Sequence, residues 1–314
     1  DIPITHVTNG VHLPSWIGPP IRRVLDRHLG EARWQRASDA ATWTALDGVP
    51  DAELWDARCE QRAELVQFVK QRSGIDRLAE GQPRPGIEAA ARAFDRDVLT
   101  IGFARRNATY KRLGLLVHDP GRALALLAGP RPVQFVPAGK AHPSDVEAEH
   151  VVQHLFGIKD APPVAERVVY LHDYDLGMAA RLVRGCDLWP AHLPRPPYEA
   201  SGTSGMKAVI NGGLNLSVLD GWWAEAYDDA NGWALPGEVD HDSRAQDARD
   251  ADALYRLLEQ EVLPAFYDRD TDGLPRAWLQ RIRASMRTLA PAYSTARMLA
   301  DYLERIYPPT TIRA

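Results

Sequence analysis

Several features that would narrow the function of this chain are scarce or missing. Its 314 residues include only two cysteines, Cys59 and Cys186, too far apart in sequence for a disulfide scaffold or a zinc motif, which favours a reducing compartment. The net charge of −5 excludes a dedicated nucleic-acid surface. No apolar run approaches the roughly 20 residues of a membrane-spanning helix, and no signal-peptide pattern opens the chain. We expect a cytoplasmic protein that binds neither nucleic acid nor membranes.

The start of the chain also lacks a methionine. Asp1 is followed by residues 2–11, whose pattern is typical of the middle of a folded protein. We therefore expect the chain to be a piece of a longer polypeptide. Its length is enough to bury one large core or two modest ones.

Short apolar runs alternate with helical patterns through the middle of the chain. The runs, each long enough for a buried strand, lie at 98–104, 133–136, 168–171, 188–191 and 214–219. Helical patterns lie between them at 112–127, 145–156, 176–183 and 206–210. This alternation predicts an α/β fold with a doubly wound, Rossmann-like parallel sheet.

The segments on either side of this core are predicted to be mainly helical. Residues 1–95 form a loop and helical lead-in with helices at 21–29, 51–72 and 87–94, residues 96–240 the Rossmann-like core, and residues 241–314 a helical tail. Ser294 is the predicted N-cap of a last helix over 295–307, which Pro308 and Pro309 end. The stretch 240–252, rich in aspartate and arginine, is predicted to be a solvated loop.

Polar loops follow four of the predicted strands. In chain order they contain Arg105 and Arg106, then Gly139 and Lys140, then residues 172–174, then residues 198–207. Ligands of open α/β sheets bind beyond the carboxyl ends of the strands, where such loops meet. The sequence therefore predicts one site at that edge of the sheet.

The most specific stretch is residues 199–207, which read Glu-Ala-Ser-Gly-Thr-Ser-Gly-Met-Lys. Small residues at a helix N-terminus leave backbone N–H groups free to bind an anion such as phosphate. Lys207 would lie in the first helical turn beside that cradle, and a lysine beside a phosphate site suggests a Schiff base to pyridoxal phosphate. The alternative is a glycine-rich turn that caps a helix, with Lys207 in solvent.

A second constellation is cationic. Arg105, Arg106, Lys111 and Arg112 crowd the turn after the first predicted strand. Such a cluster suits the binding of two phosphates, or of one phosphate near a developing charge. The alternative is a basic rim without a ligand.

These residues carry a resemblance to a known family. Residues 103–112, 138–142, 199–207 and 215–223 resemble motifs of bacterial α-glucan (glycogen or maltodextrin) phosphorylases, in the same order along the chain. The resemblance extends from residue 5 to about residue 233. It implies the C-terminal, cofactor-bearing half of a GT-B glycosyltransferase architecture, in which two Rossmann-like domains face a cleft.

The resemblance also implies an activity. Enzymes of this family cleave the terminal α-1,4 bond of a glucan with inorganic phosphate and release glucose 1-phosphate with retention of configuration. Their pyridoxal 5'-phosphate is held as a Schiff base by the lysine at the position of Lys207. The phosphate of the cofactor, rather than its ring, passes a proton to and from the substrate phosphate.

The implied roles fall into three groups. Catalysis is assigned to Arg106, Lys111 and Lys207. The cofactor would be held by Lys207, Gly202, Thr203, Ser204, Lys111 and Tyr174. The glucosyl unit and substrate phosphate would be bound by Asn9, Arg105, Arg106, Tyr110, Glu199 and Ser201. The missing N-terminal half would be a partner, and a homo-oligomer is possible.

Other residue pairs suggest sites less strongly. His6 and His12 lack a nearby carboxylate at ligand spacing, so no metal site is predicted. The adjacent Trp222 and Trp223 suit a core better than a sugar platform. Asp173 and Asp175 are assigned to loop and helix-cap chemistry rather than to acid–base catalysis.

Two other functions remain open from the sequence. One is a GT-B transferase that uses a nucleotide-sugar and no pyridoxal phosphate. Such transferases lack the lysine found here at position 207, so Lys207 distinguishes a phosphorylase from them. The other is a non-catalytic module that binds glucan or a partner protein, because the chain supplies one wall of a two-walled cleft.

Overall fold

The centre of the protein is a parallel sheet of five strands. The computed structural model describes residues 4–36, 38–105, 108–140, 144–159, 164, 166–190, 193–199 and 201–307. The strands are β1 (Leu99–Ala104), β2 (Val133–Ala138), β3 (Leu188–Trp189), β4 (Leu214–Val218) and β5 (Gly232–Leu235), arranged in the order β2-β1-β3-β4-β5. All four pairings are parallel, which confirms the predicted α/β fold.

The predicted strand at 168–171 is present only as two isolated bridges. Val168 pairs with Phe135 and Leu171 pairs with Ala138, both in parallel, outside β2. If this edge segment is counted as a strand and all six strands are numbered along the chain, their order across the sheet is 3-2-1-4-5-6, as in doubly wound dinucleotide-binding sheets. The last of them, β5, was missed by the sequence analysis because its four residues carry too short a pattern.

Both faces of the sheet are buried. In β1, Leu99, Ile101 and Phe103 belong to one hydrophobic cluster, whereas the next residue, Ala104, belongs to a second. Successive side chains of a strand point to opposite faces, so the two clusters lie on the two sides of the sheet. This explains why the strands read as continuous apolar runs.

Helices surround the sheet and precede and follow it in sequence. They are α1 (Leu13–Trp16), α2 (Pro19–Leu25), α3 (Glu31–Trp34), α4 (Ala40–Trp43), α5 (Asp51–Ala79), α6 (Arg84–Arg92), α7 (Pro120–Ala128), α8 (Val146–Lys159), α9 (Leu176–Gly185), α10 (Ser204–Val209), α11 (Gly221–Ala226), α12 (Ser243–Leu257), α13 (Leu263–Tyr267), α14 (Arg276–Ala292) and α15 (Thr295–Asp301). Among the described residues, no helix is both long and apolar enough to cross a membrane.

Local sequence explains where several helices begin and end. The 29-residue α5 follows Pro50 and has acidic residues in its first turn, which complement the helix dipole. Ser294 caps α15 as predicted, since its side chain accepts the backbone N–H of Arg297. A π-helical turn, Tyr302–Ile306, continues from α15; Pro308 and Pro309 lie outside the described residues.

Two predicted elements were wrong. The supposed loop at 240–252 is mostly α12, whose N-cap Asp242 accepts two backbone N–H groups and whose Gln246 and Asp250 are buried. Its helical face was hidden by the polar composition, because the buried side chains in its first half include Gln246 and Asp250. The supposed helix at 112–127 is divided into a 3-10 turn, Leu113–Val117, and α7, which restarts at the N-cap Asp119.

Candidate functional site

The predicted site residues gather where the order of the strands reverses. Strands β1 and β3 are neighbours, and the chain leaves them in opposite directions around the sheet. Arg105 follows β1 directly, and a 3-10 turn, Thr109–Lys111, comes a few residues later. Glu199 lies on the segment that follows β3. A crevice beyond the strand ends at such a switch point is the usual ligand position in doubly wound sheets.

Three of the predicted residues form an ion cluster that we call the edge triad: Arg105, Lys111 and Glu199. Nζ of Lys111 lies 2.6 Å from each carboxylate oxygen of Glu199, and Nη1 of Arg105 lies 3.1 Å from Oε2. The side chains are 10–15% exposed. Burial lowers the pKa of the Arg105 guanidinium, and the Glu199 charge opposes that change. Two cations on one carboxylate leave a net positive charge at a partly open position.

Neighbouring loops hold the edge triad in place. Asp220, the N-cap of α11, accepts the backbone N–H of Glu199 at 3.2 Å. Asp145 accepts the backbone N–H of Thr109 at 3.0 Å and also its hydroxyl, so the start of α8 holds the 3-10 turn that carries Lys111. The sequence analysis missed both carboxylates, because a capping aspartate gives no sign of the distant loop that it binds.

Two tyrosines stand beside the edge triad. Nζ of Lys111 lies 4.5 Å from the centroid of the Tyr110 ring, which is 40% exposed and available to a ligand. The hydroxyl of Tyr174 lies 3.5 Å from the carbonyl oxygen of Ala104, at the end of β1. Burial raises the pKa of the Tyr174 phenol, while the charge of Arg105 acts against it. The structure thus brings Tyr174 to the same strand end as Arg105.

Lys207 lies on α10, in the first turn as predicted, and it is half-buried rather than in solvent. Its Nζ is 3.8 Å from the centroid of the Trp16 ring. Burial lowers the pKa of the Lys207 amine. Gly202, before the helix, has φ +95°, a conformation that glycine adopts without strain. The Lys207 amine is therefore partly buried against the Trp16 ring.

Asn9 reaches the site from the other end of the chain. Its Nδ2 donates to the Ser201 hydroxyl at 3.1 Å. Val11 pairs with Ser294, and a Cβ on Gly10 would lie 2.2 Å from the carbonyl oxygen of Ser294, so only glycine fits there. This close packing against the start of α15 sets the path of the segment that carries Asn9.

The structure describes most, but not all, of the predicted site residues. Arg105, Lys111, Glu199, Tyr110 and Tyr174 meet at the end of β1, and Asn9 meets Ser201. Arg106 lies outside the described residues. Gly202, Thr203 and Ser204 form the entry to α10, and their binding of phosphate stays a prediction. Trp16 was missed, since a lone aromatic residue after a proline-rich loop gives no periodic signal.

Residues that suggested other sites have structural roles. Trp222 and Trp223 are fully buried in the core. Asp175 caps α9 by accepting the N–H of Met178, and Asp173 pairs with Lys140 at 2.9 Å. Both outcomes agree with the sequence analysis.

Comparison with known proteins gives a consistent result. Residues 122–231 match the family described as Carbohydrate phosphorylase. The chain is 40% identical to the glycogen phosphorylase of Aquifex aeolicus over 308 residues, 97% of this chain and 44% of that protein. It is 43% identical to the glycogen phosphorylase of Mycobacterium bovis over 98% of this chain and 36% of that protein.

A third relative is an archaeal one. The maltodextrin phosphorylase of Thermococcus litoralis is 37% identical over 309 residues, 98% of this chain and 36% of that protein. The chain therefore spans less than half the length of these curated relatives.

Proposed function

We propose that this chain, whose residues 122–231 belong to the carbohydrate phosphorylase family, is the cofactor-bearing part of an α-glucan phosphorylase. The enzyme would cleave terminal α-1,4 bonds of glycogen or maltodextrin with inorganic phosphate and release glucose 1-phosphate with retention. One observation carries the proposal. A half-buried lysine amine lies against an aromatic ring, in the same motif as the carboxylate that holds two cations at the switch point of the sheet.

The residues around Lys207 fit pyridoxal 5'-phosphate. A lysine must lose its proton before it attacks an aldehyde, and burial lowers the pKa of the Lys207 amine, so the neutral form is more accessible. The proposed contacts to the cofactor are the amine of Lys207, the backbone of Gly202, Thr203 and Ser204, and the side chains of Lys111 and Tyr174. When bound, the cofactor supplies a phosphate group that gives and takes a proton.

The cations of the edge triad would offset the repulsion between the cofactor phosphate and the substrate phosphate. Two like charges about 4 Å apart repel by roughly 4 kcal/mol at an effective dielectric constant near 20, so cations must lie between or beside them. We assign this role to Arg105 and Lys111, whose charges are partly offset by Glu199. Arg106, next in the chain, is proposed to clamp the substrate phosphate, because guanidinium matches phosphate in a two-pronged geometry.

The glucosyl unit is proposed to bind where Asn9 and Ser201 meet. Their side chains already hydrogen-bond each other, and Tyr110 and Glu199 complete the proposed set. Each sugar hydroxyl that is buried without a partner costs about 1–3 kcal/mol, so an exchange of these contacts for sugar contacts is required. The ion pairs of Glu199 with Lys111 and Arg105 would then break as the substrate binds.

The rest of the enzyme is proposed to complete the site. The relatives are more than twice as long as the matched region, and we propose a GT-B arrangement in which the missing half closes the cleft and excludes water. The isolated chain is expected to retain cofactor and to have negligible turnover. Addition of the N-terminal half should restore release of glucose 1-phosphate, and substantial turnover by the isolated chain would contradict the two-walled arrangement.

The proposal is tested by the site of cofactor attachment. Purified chain is incubated with pyridoxal phosphate, its absorbance is recorded before and after borohydride reduction, and the modified lysine is identified by mass spectrometry. We expect modification of Lys207 and loss of the absorbance in Lys207→Ala, with an unchanged circular dichroism spectrum. Lys140→Ala, which removes an exposed lysine, is the control. Modification elsewhere would instead favour a nucleotide-sugar transferase or a binding module.

A further inference from the structure

Asn211, two residues beyond α10, is fully buried and makes four side-chain hydrogen bonds. Its Oδ1 accepts the backbone N–H of Gly18 at 2.7 Å and Nε2 of Gln61 at 3.1 Å. Its Nδ2 donates to the carbonyl oxygens of Lys207 at 2.9 Å and of Trp16 at 3.1 Å. Four bonds are the full capacity of an amide side chain. The residue therefore joins three elements that lie far apart in sequence.

Neighbouring groups hold this junction rigid. Nη1 of Arg58 donates to the backbone carbonyl of Asn211 at 2.6 Å and to Oε1 of Gln61 at 2.9 Å. A Cβ on Gly18 would lie 2.1 Å from Nε2 of Gln61, so the backbone at residue 18 packs directly on that amide. Nε of Arg184 donates to the Trp16 carbonyl at 3.2 Å. The carbonyl of Trp16 is thus fixed by two donors.

The junction sets the relation between Lys207 and the ring that covers its amine. One amide group of Asn211 binds the main chain of both residues, and the ring centroid of Trp16 lies 3.8 Å from Nζ of Lys207. We propose that Asn211 is a positioning residue for Lys207: its amide holds the Trp16 ring against the amine and so sets where that amine meets an aldehyde. The identity of the aldehyde, pyridoxal phosphate, rests on the proposed function.

Few side chains can replace Asn211 in this role. Aspartate has nearly the same volume and keeps the acceptor for Gly18, but as a carboxylate it has no donor, and as a carboxylic acid only one, for the carbonyls of Trp16 and Lys207. Alanine loses all four bonds and leaves buried partners without hydrogen bonds. The pair of variants therefore separates the two donated bonds, which reach the site, from the two accepted ones.

The test measures binding of two aldehydes to the full chain. Pyridoxal phosphate and pyridoxal, which lacks the phosphate, are titrated into wild type, Asn211→Ala and Asn211→Asp, with mass mapping of the borohydride-reduced lysine. We expect both variants to bind both aldehydes about tenfold more weakly, because both lose the donated bonds that fix the main chain of Trp16 and Lys207. The preference for pyridoxal phosphate over pyridoxal should not change, because the amine rather than the phosphate contact is altered.

Asn231→Ala is the matched control. Asn231 is also fully buried, and its Nδ2 donates to the carbonyl of Ala226 at 2.7 Å, away from Lys207. Its loss should destabilise the fold and leave aldehyde affinity within about twofold of wild type. An equal loss of affinity in the control variant would show general destabilisation and overturn the inference. If Asn211→Ala does not fold, Asn211→Asp carries the test.

A double-mutant cycle tests whether Asn211 acts through the ring. Trp16→Leu should weaken aldehyde binding, and adding Asn211→Ala to it should cost less than Asn211→Ala alone, because the group it positions is already absent. Additive losses would overturn the inference while leaving attachment at Lys207 intact. Absence of any adduct at Lys207 in wild type would instead refute the proposed function, and the inference with it.

Discussion

The protein holds two cations against one carboxylate at both ends of its sheet, and one of these two groups lies at the candidate site. The group at the amino end of β3, which we call the buried triad, is Arg58, Arg62 and Asp187. Its side chains are 0–1% exposed, and Oδ1 of Asp187 lies 3.3 Å from Nη2 of Arg58 and 2.7 Å from Nη1 of Arg62. The edge triad has the same charges, with 10–15% of each side chain exposed.

The two triads differ in how deeply their side chains are buried and in the end of the sheet at which they lie. In the buried triad, backbone carbonyls accept from the arginines, including those of Cys186 and Asn211 for Arg58 and of Arg96 for Arg62. The other oxygen of Asp187 accepts the N–H of Thr100 in β1. This group fastens α5 to the sheet. The edge triad lies at the carboxyl ends of the strands, and 10–15% of each of its side chains stays exposed.

The largest expected effect concerns the buried triad. Asp187→Asn keeps the volume and removes the charge, which leaves two buried guanidinium groups without a counter-ion. We expect a loss of about 3–5 kcal/mol in the free energy of unfolding, measured by urea denaturation. Glu199→Gln is the matched change in the edge triad and should cost clearly less, because water reaches that group. Equal losses in the two variants would break the comparison.

A smaller effect is expected for anion binding at the edge triad. Glu199→Gln frees Arg105 and Lys111 from their carboxylate, so inorganic phosphate should bind about tenfold more tightly, as measured by calorimetry. Glu259→Gln removes one of the two carboxylate partners of Arg122, in a more exposed ion pair, and should leave phosphate binding unchanged. Weaker phosphate binding in Glu199→Gln would mean that the two cations do not face the ligand.

The smallest effect concerns Lys207 and pH. Burial holds the pKa of the Lys207 amine below its ordinary value of 10.5. Between the two values the unfolded chain binds more protons, so the stability of the wild type rises with pH in that window. Lys207→Met lacks this contribution and should gain less stability on going from about pH 7 to about pH 10 in urea unfolding. Contact with the Trp16 ring favours the charged amine and keeps the difference small. A steeper rise in the variant would contradict the assignment.

The sheet was predictable because its signal is local. Fully buried strands are continuous apolar runs. Four of the five predicted runs became paired strands, with 214–219 almost unchanged as β4, and the fifth, at 168–171, forms isolated bridges. The helix α12 was not predictable from the same signal. Arg112 pairs with Asp250 of that helix at 2.6 Å, so the burial of charged residues depends on a partner 138 positions away.

The candidate site divides in the same way. The edge triad could be expected, since its residues follow strands whose ends must meet. Trp16 and Asn211 could not, because their roles depend on the packing of a loop near the start of the chain against the end of α10. Neither residue type at those positions implies a partner. Residues that position others carry no chemistry of their own that a sequence would display.

The contact between the segment that carries Asn9 and α15 has a consequence for the order of folding. Nη2 of Arg297 binds the carbonyl of Thr8 across 289 positions, and contacts of such long range form late because the intervening chain must first be ordered. The segment that carries Asn9 therefore reaches its final place only after α15 has been ordered. A chain in which the sheet has already formed still lacks the hydrogen bond between Asn9 and Ser201.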